Sequence, residues 1–124
     1  MRLLLLLLFW CASAVAQEDV DAQIKRLEVA LNRIQAEQQS VYHQFQMVQE
    51  QRRSALQQAR QEIQIYTPPA TPPDYDDVVR EKEARDAQIK VYAEELDRLY
   101  ARYRELEEQK KSLLDQLTAL ATGR

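Results

Sequence analysis

Thr67-Pro68-Pro69-Ala70-Thr71-Pro72-Pro73-Asp74 holds all four prolines of the 124-residue chain. Paired prolines cannot continue a helix and favour an extended polyproline II path of about 3.1 Å per residue. On each side lies a long proline-free segment with helical periodicity. The stretch therefore reads as a stiff hinge over residues 67–74. Eight extended residues are ample to join two helices packed roughly 8–10 Å apart. Pro69-x-x-Pro72 also fits a generic polyproline-ligand pattern, which proline-rich spacers produce by chance.

Before the hinge, Val20, Ile24, Leu27, Leu31, Ile34, Gln38, Val41, Phe45 and Val48 follow one another in alternating steps of four and three. This is the heptad spacing of a coiled-coil seam, and the residues between are mostly good helix formers. Beyond Val48 the strict repeat gives Arg52, Ala55 and Ala59, whereas the larger apolar residues are Leu56, Ile63 and Tyr66. Successive steps of four through Arg52 to Leu56 predict a stutter and looser packing from about Arg52 to Ala59. The first helix spans residues 17–66 on this reading, with Asp19 and Asp21 favourable at its N-terminal end. Tyr66 ends it, because a residue so close to Pro68 is pushed out of the helical region. It carries twelve glutamines between Gln23 and Gln64, most of them expected on its solvated face.

After the hinge the seam runs through Ile89, Tyr92, Leu96, Leu99, Tyr103, Leu106, Lys110, Leu113, Leu117 and Leu120. Traced backwards it meets Arg85, Lys82, Val78 and Tyr75, so it becomes polar towards the hinge. The second helix spans residues 75–122. Asp74 caps it and Asp76 and Asp77 sit in its first turn. Gly123 suits a left-handed C-cap, with residues 123–124 as a short tail. Glu81–Arg85, Asp86–Lys90, Lys90–Glu94, Glu94–Arg98 and Glu107–Lys111 are opposite charges four apart, the mark of a solvated helix face.

Folding the helices back about the centre of the hinge sets Phe45 against Leu96 and Val41 against Leu99 or Tyr100. The same fold sets Gln38 against Tyr103, whose hydroxyl could bond the amide, and Ile34 against Leu106. The fold class is thus all-α: an antiparallel two-helix coiled-coil hairpin, a long rod. One seam per helix is a thin core, so the hairpin is expected to form a homo-oligomer. A four-helix bundle would cover Leu56, Val79, Val91 and Leu114.

The N-terminus carries a separate message. Met1-Arg2 is a short positive segment, Leu3 to Trp10 is wholly apolar, and Ala14-x-Ala16 fits signal peptidase. Residues 1–16 are therefore expected to be a cleaved signal peptide. Ala12-x-Ala14 offers an earlier cut. Anchoring through a lipidated Cys11 is disfavoured by Phe9 and Trp10, where small residues are needed. Cleavage leaves no cysteine, and so no disulfide, in an exported chain. It also removes Arg2, leaving a charge one unit more negative than −3. Without a basic patch, nucleic acid is excluded as a partner, and so is electrostatic binding to an anionic membrane. No membrane span is expected after cleavage, since Leu3–Trp10 is far short of the roughly 20 residues needed.

Nothing reads as an enzyme, so no catalytic, cofactor-binding or metal-binding residue and no cofactor is assigned. His43 is the single histidine. Glu94-Glu95 and Glu107-Glu108 are adjacent on a helix and cannot converge on one atom. The tyrosines are the more informative set: Tyr42, Tyr66, Tyr75, Tyr92, Tyr100 and Tyr103 fill the seam or form a stripe that receives another chain. The function expected is that of an exported structural or adaptor protein of the bacterial envelope, held to an unidentified protein partner in the periplasm. A secreted protein is the alternative in location. The alternative in function is a holdase chaperone that grips unfolded chains between helical arms.

Overall fold

Long stretches of Gln, Glu, Arg, Leu and Ala with one apolar residue every three or four positions leave the backbone little choice but helix. In the computed structural model, α1 runs Arg2–Gln64 and α2 runs Tyr75–Thr122. The structure describes the backbone of residues 2–64 and 74–123 and the side chains of residues 19–61 and 74–123. The proline hinge lies outside the described residues, as do the side chains of Ile63 and Tyr66. There is no strand among the described residues, and α1 and α2 pack against each other as an all-α hairpin. Among the described residues no helix is long and apolar enough to cross a membrane.

α2 begins as its sequence dictates. The Asp74 carbonyl accepts from the backbone N–H of Asp77 at 3.0 Å and of Val78 at 3.2 Å. Its carboxylate accepts from the Asp76 N–H at 3.4 Å. Asp76 and Asp77 occupy the first turn, and Arg80 pairs with Asp77. The far end closes differently from the left-handed cap the sequence suggested: no described glycine has a positive φ. The Gly123 N–H instead donates to Ala119 O at 3.1 Å, in helical spacing. The Thr122 hydroxyl turns back to the carbonyls of Thr118 at 2.9 Å and Ala119 at 3.2 Å. Those carbonyls are the ones a left-handed cap would serve, so the reversal is not needed.

The chain divides into two compact units. The first comprises Met1–Gln38 and Glu105–Arg124. Its best-buried residues are Leu106, fully covered at 0% exposure, and Gln38 at 7%. Ile24, Leu27, Leu31, Ile34, Leu113, Leu117 and Leu120 are half-buried. The Gln38 side-chain amide donates to Glu107 Oε2 at 2.6 Å. Its partner is thus Glu107 and not Tyr103, four residues away on α2. A seam of alternating threes and fours still looks like a seam after sliding by one turn, so apolar matching alone separates such registers poorly. A bond to a carboxylate is a stronger partner for a buried amide than one to a phenol.

The second unit is Gln39–Arg104. Val41, Leu96 and Leu99 are its buried hydrophobics, and burying each contributes about 1.5–3 kcal/mol. Arg52, Ala55 and Ala59 are half-buried while Leu56 is exposed. The expected stutter is therefore absent. α1 keeps its strict heptad through this region and turns two alanines and an arginine towards the seam. Alanine permits close approach of the helices, and holding phase keeps the helix unstrained. The consequence is that Leu56, the largest apolar residue there, is left on the flank. Towards Asp74 the seam opens, with Val78, Lys82 and Tyr75 exposed.

Candidate binding surface

Heptad geometry places one residue of each repeat just beside the seam on each flank. In Gln39–Arg104 the two flanks differ in chemistry. On one side α1 presents Tyr42, Gln49 and Leu56, and α2 presents Val79, Asp86, Ala93 and Tyr100. On the other, α1 presents Gln44, Gln51 and Gln58, and α2 presents Glu81, Gln88, Glu95 and Arg102. Met47 and Val91 stand singly further round the molecule, beyond the polar flank, and are exposed.

The first of these flanks opens, beside Tyr42 and Tyr100, into a groove of about 280 Å³ lined by Val41, Tyr42, Phe45, Leu99, Tyr100 and Tyr103. Val41 and Leu99 form its buried floor. Three tyrosines form its walls, exposed by 51% at Tyr42, 55% at Tyr100 and 37% at Tyr103. The groove exists because Phe45 and Tyr103 are too large for a two-helix seam, so their rings push past its edge. His43 adjoins the wall, its ring 6.5 Å from that of Tyr42 and tilted by 57°. Phe45 shares this groove with Leu99, Tyr100 and Tyr103, whereas hinge-centred matching set it against Leu96. This is again about a turn further along α2.

Arg52 Nε is buried without a hydrogen-bond partner. The guanidinium thus sits at the seam with its inner nitrogen unsatisfied and its stem packed, which is snorkelling carried out incompletely. Arg98 pairs on the surface with Glu95 at 3.4 Å, three residues away. Both partners are well solvated, so the pair adds little stability.

The first unit has shallow recesses of its own. One, about 420 Å³, is lined by Gln23, Arg26, Leu27, Gln116, Ala119 and Leu120. Another, about 380 Å³, lies on α1 among Ala22, Lys25, Arg26 and Val29. Neither gathers aromatic rings. Among the described residues no group of three or more His, Cys, Asp or Glu is placed to hold a metal ion.

Of the six tyrosines, the structure brings Tyr42, Tyr100 and Tyr103 together. Tyr92 is half-buried at the seam and Tyr75 is 79% exposed at the start of α2. Tyr66 lies outside the described residues, as does the Pro69-x-x-Pro72 pattern. Sequence reasoning did not foresee the contribution of Val41, Phe45 and Leu99 to the groove. The available signal was Phe45 at a seam position with Tyr42 one turn before it. No protein-family model, curated protein or solved structure matches the chain.

Proposed function

We propose that the protein is an exported, non-enzymatic coiled-coil protein that serves as a structural or adaptor element of the bacterial cell envelope. It acts through protein–protein contacts made in the periplasm. The observation that carries this reading is the tyrosine-walled groove on one flank of Gln39–Arg104. It is apolar, open along one side and lined by rings that can pack against another chain. Its lining residues include no charge to orient a reacting group, and small-ligand sites ordinarily place several polar groups. Export is supported by Met1-Arg2, the apolar run Leu3–Trp10 and Ala14-x-Ala16.

The test is fractionation of cells followed by crosslinking and pull-down from the periplasm. The expected result is a processed chain beginning at Gln17 and crosslinked in fixed stoichiometry to a defined protein. A cytoplasmic chain with its N-terminus intact contradicts the reading. A chain that instead suppresses aggregation of an unfolded outer-membrane protein, with no fixed partner, supports the holdase chaperone.

A further inference from the structure

We propose that the tyrosine-walled flank of Gln39–Arg104 takes a second copy of this chain. The hairpins then pair face to face through Tyr42, Leu56, Val79, Ala93, Tyr100 and Tyr103, with Gln49 and Asp86 as the polar part of the same face and the glutamine-rich flank left in solvent. The proposal rests on the reading of this flank as a protein-contact surface and names its occupant.

Three observations favour a second copy. The first is area. A buried aromatic side chain removes about 150–250 Å² from water, so the open fractions of Tyr42, Tyr100 and Tyr103 leave about 300 Å² of ring surface to cover. Leu56, Val79 and Ala93 bring the apolar area to roughly 400 Å². A standard interface covers about 800 Å² per partner, slightly more than half of it apolar. The flank supplies that apolar half.

The second is the core. Val41, Leu96 and Leu99 are the only buried hydrophobics described in this unit. Ordering each residue costs about 1–2 kcal/mol of backbone entropy, so three buried side chains leave the unit short of stabilising burial. Association is the usual remedy for so thin a core. The third is symmetry. A two-fold pairing needs one patch that complements itself. A strip to which both helices contribute rings and aliphatics, with Gln49 and the single charge of Asp86 in its polar part, meets that need better than the other flank, which carries Glu81, Glu95 and Arg102 among glutamines. Leu56 is part of this strip because α1 holds strict heptad phase, so the feature that weakens the seam strengthens the flank. Val91, expected to join such an interface, lies on the other side and is left out.

Sedimentation equilibrium of the processed chain tests the idea, alongside two double variants. The expected wild-type mass is twice that of one chain at micromolar concentration. Tyr42→Glu with Tyr100→Glu should weaken the dimer at least 100-fold, while Gln44→Glu with Gln51→Glu should leave it unchanged. Alkylation gives a second readout that does not require the tyrosine variant to fold. In the chain beginning at Gln17, which has no native cysteine, Leu56→Cys should become protected as concentration rises, and Gln51→Cys should stay reactive. A monomer at 100 µM, roughly 100-fold above the expected range, overturns the second copy. A dimer broken by the glutamine variants and not by the tyrosine ones also overturns it. Export and capture of another envelope protein are read in the periplasmic crosslinking experiment, so the two readings fail separately.

Discussion

Two side chains near the seam decide more than their size suggests. Gln38 is 7% exposed and its amide bonds Glu107. Removing the acceptor alone leaves a buried amide with an unmet donor, which costs about 1–3 kcal/mol. Glu107→Ala should therefore destabilise the chain by that amount in urea unfolding. Adding Gln38→Leu in the same chain should recover most of it, because no amide then remains to satisfy. Arg52 presents the opposite case, a nitrogen already buried without a partner. Arg52→Leu keeps the stem's packing and removes the unmatched donor. It should raise stability by about 1 kcal/mol, read as a higher urea midpoint with unchanged slope. The residue scale is where sequence reasoning reached least far. It identified Gln38 and Arg52 as polar seam positions, but the identity of their partners depends on register. Hydrophobic spacing leaves registers one turn apart nearly equivalent.

For whole elements the sequence was far more legible. Alternating steps of three and four over Val20–Val48 and Ile89–Leu120 require amphipathic helices, and the proline cluster between them requires a break. The side on which each apolar residue falls followed less surely. Leu56 looked like a seam residue because it is larger than Ala55, yet helical phase prevailed over side-chain size. At the hinge, exchanging Pro68, Pro69, Pro72 and Pro73 for alanine removes the barrier to helix continuation. The two helices should then fuse into one. Spin labels at positions 46 and 97, under about 20 Å apart across the packed helices, should move to roughly 75 Å at 1.5 Å per residue. Distances that stay short would show that packing, and not proline, makes the turn.

At the scale of the molecule, the division of labour is between a narrow seam that joins the helices and, within Gln39–Arg104, a tyrosine-walled groove beside it. Composition alone pointed to a helical, mildly acidic chain with no nucleic-acid partner. Only the folded arrangement sorts Tyr42, Tyr100 and Tyr103 onto the same side, because their relation depends on which flank of α1 meets which flank of α2. The central claim is that this flank is where the protein meets protein. A photo-crosslinking amino acid at position 100, compared with one at position 51 in living cells, tests it most directly. The account predicts abundant protein adducts from position 100 in the envelope fraction and few from position 51. Equal adducts from both positions, or none from position 100, would contradict it.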